Sequence, residues 1–220
     1  MSDLDAALAD AAERAVADLA DGMVVGLGTG SAATAAVRAI GRRVREGLRI
    51  AGVPTSARTE ALARELGIPL AALGEDTLLD VAIDGADEVE RAGLALLKGR
   101  GGALLREKLV ASASRRLVIL IDPSKWVDCL GSRHPVPVEV VPFGWPATAA
   151  RLRRLGATPE LRLEEGEPFV TDGGHHILDC RFPPIADPAA LAREIDAVVG
   201  VVEHGLFVGF SPRVIEAPAA

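Results

Sequence analysis

The 220-residue chain carries a net charge of −7, is 49% hydrophobic and contains only 3% aromatic residues, with no tyrosine. This composition is typical of a soluble globular protein with a sizeable core, whereas the acidic, aromatic-poor balance disfavours nucleic acid as a partner. No apolar run is long enough to span a membrane and the acidic start lacks the features of a signal peptide, so we expect a cytoplasmic protein with no membrane partner.

Apolar periodicity and the positions of glycine and proline predict alternating helices and strands in the first half of the chain. The predicted helices cover residues 3–20, 32–41, 57–66 and 103–113, and the predicted strands cover residues 23–27, 49–53, 78–83 and 117–121. This alternation indicates a parallel sheet. Ligands of such sheets bind beyond the carboxyl ends of the strands, so we expect the loops at the strand ends Leu27, Asp84 and Ile121 to converge.

The second half of the chain follows a β-α-β-β-α-β order, which is typical of a ferredoxin-like unit. Its predicted strands cover residues 136–141, 158–163, 176–180 and 199–202, and its predicted helices cover residues 146–155 and 188–198. Residues 206–215 are predicted to return to the first sheet. We therefore predict an α/β fold: a Rossmann-like parallel-sheet domain of residues 1–127 and 204–220, with an inserted smaller α+β ferredoxin-like domain of residues 128–203.

A glycine-rich turn, Gly26-Leu27-Gly28-Thr29-Gly30-Ser31, follows the first predicted strand. It is similar to a dinucleotide-binding loop, but Ser31 stands where that motif has Gly or Ala, and the next strand ends in Pro54-Thr55-Ser56 without the acidic residue that a nicotinamide ribose needs. A turn of this kind at a helix N-terminus suits an anion. A purely structural βα turn is the alternative.

Two polar runs lie fourteen residues apart, Asp84-Gly85-Ala86-Asp87-Glu88 and Lys98-Gly99-Arg100-Gly101-Gly102. Two neighbouring carboxylates push their proton affinities apart, which suits proton transfer, and Lys98 can neutralise an oxyanion as it forms. The alternatives for the two aspartates are a helix N-cap by Asp84 or a metal site, and a flexible solvent loop is the alternative for the glycines.

Lysine is rare in this chain, since only Lys98, Lys108 and Lys125 occur among 24 basic residues. A chain so biased toward arginine is expected to keep lysine where a compact charge or a titratable amine is needed. Lys125 follows a predicted strand end and is a candidate second cation for the ligand. Glu107 lies one turn into the helix after the glycine loop and points away from its leucines, so by itself it would be expected at the surface.

The cysteines and adjacent histidines carry no signal of a metal or redox site. Cys129 and Cys180 are isolated, without a CxxC motif, and are expected to be two buried thiols rather than a disulfide. His175 and His176 would face opposite sides of a strand and could not share a metal. We expect neither metal nor cofactor.

The ordered set of motifs resembles the type A ribose-5-phosphate isomerase family. The matching runs are Val25–Ser31, Pro54–Ser56, Asp84–Glu88, Lys98–Lys108, Asp122–Lys125, Pro137–Pro142, Thr171–Gly174 and Ile177–Asp179. The resemblance implies a reversible, cofactor-independent isomerisation of ribose 5-phosphate to ribulose 5-phosphate through an enediolate, in the non-oxidative pentose phosphate pathway. It also implies a homodimer or homotetramer.

The resemblance also implies roles for individual residues. It makes Glu107 the base that moves a proton between carbons 1 and 2, and it makes Asp84, Asp87 and Lys98 the groups that open the ring and stabilise the intermediate. The implied substrate-binding residues are Thr29, Gly30, Ser31, Ala32, Asp84, Gly85, Ala86, Asp87, Lys98, Gly99, Arg100, Gly101 and Lys125. The phosphate would be held mainly by residues 29–32 and by Lys125.

Two residues depart from the family pattern. Ala32 stands where the family usually has threonine, which removes one hydroxyl donor worth about 0.5–1.5 kcal/mol, and Arg100 stands where the family has glycine. Neither departure touches the implied base. The alternatives are a non-catalytic sugar-phosphate sensor, a sugar-phosphate deaminase or an acyl-CoA transferase on the same scaffold.

Overall fold

The computed structural model describes residues 3–218, so the outermost residues of the predicted first domain, 1–2 and 219–220, lie outside the described residues. The helices are α1 Asp3–Val16, α2 Ser31–Arg45, α3 Ala57–Glu65, α4 Leu104–Ser112, α5 Trp145–Arg154 and α6 Pro188–Asp196. The strands are β1 Val24–Leu27, β2 Ala51–Pro54, β3 Val81–Gly85, β4 Glu88–Glu90, β5 Leu96–Leu97, β6 Leu117–Ile121, β7 Trp126–Val127, β8 Val136–Val140, β9 Thr158–Leu161, β10 Leu163–Glu164, β11 Glu167–Pro168, β12 His176–Arg181, β13 Val201–His204, β14 Leu206–Phe207 and β15 Arg213–Glu216.

The chain divides into two compact units, each built from separate segments. Within the described residues, the first unit comprises residues 3–86, Arg106–Lys125 and residues 210–218, and the second comprises Asp87–Leu105 and Trp126–Gly209. Among the described residues, none of the helices combines the length and the apolar character needed to cross a membrane.

The first unit is organised around a five-stranded sheet in the order β15-β6-β3-β1-β2, in which every pair is parallel. Counted in chain order, its strands follow the doubly wound order 2-1-3-4-5. The order reverses between β1 and β3. In such sheets the crevice at this reversal, outside the carboxyl ends of the strands, is where ligands bind.

Helices cover both faces of the parallel sheet. Successive side chains of a strand point to opposite faces of the sheet, so each strand contacts helices on both sides. Val25 and Leu27 of β1 belong to the core that also contains Val16 of α1 and Ile40 of α2. Gly26, between them, faces α4: a Cβ at this position would lie 2.5 Å from Val110 Cγ1. The predicted Rossmann-like arrangement is confirmed.

The second unit contains an antiparallel sheet in the order β13-β8-β12-β9. This is the strand order of a ferredoxin-like β-α-β-β-α-β unit, as predicted. One face of the sheet packs on α5 and α6 through an apolar core that includes Val138, Leu178, Leu152 and Ile195. The hairpin of β10 and β11 was not predicted; it turns at Glu165 and Gly166, both with positive φ.

Two predictions about the chain after residue 85 differ from the structure. Residues 206–215 were predicted to return to the first sheet. Instead, β14 pairs with β5 in another four-stranded sheet, β14-β5-β4-β7, and only β15 joins β6 of the parallel sheet. Residues 87–105, which were predicted to belong to the first domain, group with the second unit because β4 and β5 pair with β7 and β14. In both cases short strands take partners far away in sequence.

Candidate active site

The turn after β1 contacts the end of β3 at the point where the strand order reverses. Gly28 N donates to Ile83 O at 3.0 Å, and Thr29 N donates to Asp84 Oδ1 at 3.1 Å. The same oxygen of Asp84 accepts a hydrogen bond from Gly85 N at 2.8 Å, and Asp84 is only 4% exposed. Backbone donors of this kind stabilise an ionised carboxylate. The predicted glycine turn and the predicted Asp84 are therefore brought together.

Two glycines make this turn possible. A Cβ on Gly28 would penetrate the Asp84 carboxylate and would lie 2.7 Å from Asp84 Cα. Gly30 has φ +110° and is the N-cap of α2, where no side chain caps the helix. A larger residue would separate β1 from Asp84 at the first position and would be strained at the second.

Thr29 directs its hydroxyl group into a buried network of hydroxyl groups. Its Oγ1 lies 2.8 Å from Thr55 Oγ1, 2.8 Å from Ser56 Oγ and 3.2 Å from Thr59 Oγ1. Thr59 Oγ1 in turn donates to Gly28 O at 2.9 Å. The Thr29 side chain thus ties the turn to the end of β2 and the start of α3, a support that the sequence had not suggested.

The first turn of α4 lies at the same edge of the parallel sheet. At the C-terminal end of α4, Ala113 O accepts a hydrogen bond from Leu79 N at 2.9 Å, just before β3 begins, whereas Val110 faces Gly26 in the middle of β1. The helix therefore runs antiparallel to the strands. Glu107 is three residues before Val110, or about 4.5 Å further along the helix, in the direction of the carboxyl ends of the strands.

Glu107 is buried, with 4% of its surface exposed, although it was expected at the surface from its position alone. The leucines of α4 do not share one buried face, although they cluster on a helical wheel. Leu104 is fully buried, whereas Leu109 is 51% exposed. Clustered leucines on a helical wheel therefore did not mark the buried face. A glutamate is rarely buried unless the surroundings support it, so its burial makes Glu107 a candidate functional residue.

The remaining predicted residues of the first unit follow strand ends or open a helix. Ser31 and Ala32 form the first turn of α2, and a Cβ on Gly85 would lie 3.4 Å from Ala32 Cβ. Lys125 closes a short 3₁₀ turn, Pro123–Lys125, directly after β6. Both segments therefore lie beyond carboxyl ends of the parallel sheet, as expected for an anion-binding edge.

In the second unit Lys98 is held at the end of β5. Its backbone N donates to Gly205 O at 2.9 Å, and its Nζ lies 5.5 Å from the centroid of the Phe207 ring. Lys98 is only 3% exposed. A lysine that is almost fully buried is unusual unless it is paired or functional, which agrees with the expectation from the scarcity of lysine.

Asp87 and the glycine loop are also connected within the second unit. Asp87 N donates to Leu97 O at 2.8 Å, and Asp87 Oδ2 accepts a hydrogen bond from Arg100 N at 3.0 Å. Gly102 N closes the loop by donating to Gly99 O at 3.0 Å. A pocket of about 220 Å³ is lined in part by Asp87 and Arg100. The loop is thus held by hydrogen bonds, in contrast to the alternative of a flexible solvent loop.

One cluster with metal-ligand composition occurs in the part of the chain that the structure describes: Asp196, Glu203 and His204. His204 Nδ1 accepts a hydrogen bond from Leu206 N at 3.1 Å, so the ring proton of the neutral imidazole is on Nε2, 3.2 Å from Asp196 Oδ1. A metal on Nε2 would have to displace that proton. The cluster is therefore a hydrogen-bonded histidine rather than a ligand set.

The cysteines and the histidine pair occupy the second unit. Cys129 is half-buried and Cys180 is buried, and both are free thiols; burial raises the pKa of Cys180 to about 12. His175 Nδ1 lies 2.9 Å from Glu139 Oε1, whereas His176 Nδ1 lies 3.3 Å from Phe169 O. The two rings thus bind different groups, as expected.

In the first unit, buried acids at the reversal of a doubly wound sheet are typical of an α/β enzyme that transfers protons on a small ligand. The comparisons with known proteins specify that class. The chain belongs to the ribose 5-phosphate isomerase A (phosphoriboisomerase A) family, whose model matches residues 51–219. The predicted family is confirmed.

The chain is similar over nearly its whole length to ribose-5-phosphate isomerase A of Gloeobacter violaceus, with 59% identity over 215 residues, which cover 98% of this chain and 94% of the relative. Identity to the Synechococcus sp. protein is 56% over 207 residues, covering 93% and 90% of the two chains.

Solved structures of ribose 5-phosphate isomerases have the same fold. The Plasmodium falciparum structure has a TM-score of 0.93 at 38% identity, covering 96% of this chain and 94% of that one. The Methanocaldococcus jannaschii structure has a TM-score of 0.89 at 40% identity, covering 93% and 91%. A further isomerase structure, in complex with phospho-erythronic acid, has a TM-score of 0.93 at 39% identity, covering 97% and 94%.

Proposed function

We propose that this chain catalyses the reversible isomerisation of ribose 5-phosphate to ribulose 5-phosphate. The observation that carries the proposal is the burial of Glu107 in the first turn of α4, at the edge of the sheet that the Asp84 turn also occupies. Relatives named for this activity align with the chain over nearly the full length of both proteins. The complex of one solved isomerase with phospho-erythronic acid supports an anionic, phosphorylated ligand for this chain as well.

In the proposed mechanism Glu107 is the general base. Its carboxylate removes the proton from carbon 2 of the open-chain aldose, the electron pair moves into the carbon 1–carbon 2 bond, and an enediolate forms. Glu107 then returns the proton to carbon 1 while the hydroxyl proton of oxygen 2 is transferred to oxygen 1, which yields the ketose. A positioned base typically accelerates such a step by about 10²–10⁴-fold.

Three further groups assist this reaction in the proposal. The Lys98 ammonium group stabilises the negative oxygen of the enediolate, because a buried cation near developing charge is worth far more than one in water. Asp84 and Asp87 exchange protons with the ring oxygen and the carbon 1 hydroxyl group during ring opening. Backbone groups of Gly85, Ala86 and the glycine loop, including Gly99 and Gly101, contact the sugar.

The phosphate is proposed to bind at the turn of residues 29–32 and Lys125. The backbone N–H groups at the start of α2 point toward an anion there. Because the hydroxyl of Thr29 is committed to the buried network and its backbone N donates to Asp84 Oδ1, Thr29 contributes by shaping the turn, and the proposed donors to the phosphate begin at Gly30. Ala32 offers no hydroxyl donor, so phosphate binding depends on the backbone, on the hydroxyl of Ser31 and on Lys125.

We further propose that the protein acts in the cytoplasm as a homodimer or homotetramer and without nucleic acid, metal or cofactor.

The test of the proposed activity is to mix the purified protein with ribose 5-phosphate in the presence of a chelator and to measure ketose formation. Ketose formation at enzymatic rates is expected. Binding of the sugar phosphate without turnover would favour the sensor, and a hydroxylamine-trappable glutamyl intermediate would favour a transferase.

A further inference from the structure

We propose that Arg162 is a positioning residue for this reaction: it holds the glycine loop Lys98–Gly102 in the conformation that presents the Lys98 ammonium group to the substrate. The inference rests on the proposed function and adds to it a residue to which no motif of the sequence pointed. Arg162 lies between β9 and β10 in the second unit, the unit that also contains the loop.

The guanidinium group of Arg162 binds two successive carbonyl groups of the loop. Its Nη1 donates to Gly99 O and to Arg100 O, each at 3.1 Å. These are the two residues that directly follow Lys98 in the chain. A planar group with several fixed donors can hold both carbonyls at once, which sets the direction of the backbone leaving Lys98.

Asp179 fixes the other side of the guanidinium group. Arg162 Nε donates to Asp179 Oδ2 at 2.9 Å, and Arg162 Nη2 donates to Asp179 Oδ1 at 2.5 Å. The two side chains are only 15% and 24% exposed. A bidentate pair with so little exposure is strongly oriented, unlike an ordinary surface ion pair. Asp179 belongs to the motif Ile177–Asp179, to which the family resemblance had assigned no role.

Phe169 supports the opposite end of the loop. Its ring centroid lies 5.8 Å from Arg162 Cζ, and its backbone N donates to Arg162 O at 2.9 Å. A Cβ on Gly102 would collide with the edge of this ring. The loop therefore has Arg162 against its first half and Phe169 against its last residue.

A loop of this composition needs such support because glycines have many accessible backbone conformations. Gly99 and Gly102 have φ values of +103° and +77°, a region that other residues rarely adopt. On the other side of Lys98, its backbone N is bound to Gly205 O at 2.9 Å. With Arg162 holding the next two carbonyls, the backbone of Lys98 is anchored on both sides, which preorganises the ammonium group.

The test compares Arg162→Lys with Arg181→Lys. Lysine keeps the charge of Arg162, but one ammonium group cannot bind two carbonyls and two carboxylate oxygens in this geometry. We expect kcat to fall about 10- to 100-fold, since misplacement of a catalytic group affects turnover, and KM to rise by a smaller factor, since the loop also contacts the sugar in the proposal. Arg181 is an exposed arginine two residues after Asp179 in β12, and its change to lysine should leave kcat as in the wild type.

Two further measurements separate positioning from simple loss of structure. Hydrogen exchange of the amides in residues 99–102 should accelerate in Arg162→Lys and stay unchanged in Arg181→Lys, with urea-unfolding midpoints measured for both. In Arg162→Ala, added methylguanidinium should restore part of kcat. A wild-type kcat in Arg162→Lys, or a lower kcat with unchanged loop exchange, overturns the inference while the proposed function stands. An inactive wild-type protein overturns the proposed function and this role with it, whereas the exchange data still decide whether Arg162 holds the loop.

Discussion

Gly28→Ala is expected to reduce stability and turnover together, because Gly28 packs directly against Asp84. The added Cβ would lie 2.7 Å from Asp84 Cα, so β1 and β3 have to separate at this point. Overpacking of this kind costs about 1–3 kcal/mol. Separation also weakens the hydrogen bonds from Gly28 N to Ile83 O and from Thr29 N to Asp84 Oδ1, which are worth about 0.5–3 kcal/mol each.

With partial relaxation, we expect a loss of about 3–5 kcal/mol, which is a large part of the about 5–15 kcal/mol that separates native from unfolded domains. We also expect kcat to fall about 10²-fold, because a displacement of about 1 Å of a reacting group has that effect. Urea unfolding followed by circular dichroism measures the first quantity. Ketose formation at saturating ribose 5-phosphate, normalised to the folded fraction, measures the second.

Gly41→Ala is the matched control. Gly41 lies inside α2, where a Cβ would be 2.8 Å from Leu66 Cβ, away from the Asp84 turn. It should lose about 1–3 kcal/mol of stability through overpacking and keep the kcat of the wild type. If Gly28→Ala retains wild-type kcat, or if Gly41→Ala loses as much kcat as Gly28→Ala, the argument that the close approach of Gly28 positions Asp84 for turnover is refuted.

Three other changes test individual groups. Glu107→Gln should still bind sugar phosphate by calorimetry but lose at least about 10²-fold in kcat; normal turnover would remove Glu107 from the mechanism. Lys98→Arg should lower kcat although the charge is kept, and unchanged kinetics would contradict this. Burial raises the pKa of Cys180 from 9.0 to about 12, so only the unfolded thiol ionises between these values and the free energy of unfolding should fall as the pH rises above 9. Urea titrations from pH 8 to 10.5 should show a smaller decline in Cys180→Val, and an equal decline in both proteins would argue against this cause.

The parts of the fold that could be predicted are those whose signal is local. β6 is an uninterrupted apolar run, Leu117–Ile121, and α2 begins at a glycine turn, so both elements follow from the sequence alone. The strands β4 and β7 could not be predicted because Glu88–Glu90 contains two glutamates and Trp126–Val127 has only two residues. Such strands exist because partners distant in the chain complete their hydrogen bonds, and strand preference depends on that context.

The candidate site divides in the same way. Asp84 could be located because it ends an apolar strand, and the rule for parallel sheets places strand ends at one edge. The contacts of Thr29 with Thr55 and Thr59 could not be predicted, because they join three segments of the chain and depend on the direction of each side chain. The burial of Glu107 was also missed, because a pattern of leucines reports which residues are apolar but not which face of a helix the sheet covers.

The contrast between Lys98 and Arg162 gives a physical reading of the scarcity of lysine in this chain. Arg162 binds two carbonyls and one carboxylate through fixed, divergent donors, a task for which a single ammonium group is unsuited. Lys98 is 3% exposed with its Nζ 5.5 Å from the Phe207 ring, a position where a planar guanidinium group would need more space. If position 162 needs several fixed donors and position 98 needs a compact charge, Arg162→Lys and Lys98→Arg should each lower kcat, although both preserve the net charge. If both exchanges prove silent, the predominance of arginine reflects the composition of the chain and not the chemistry of either position.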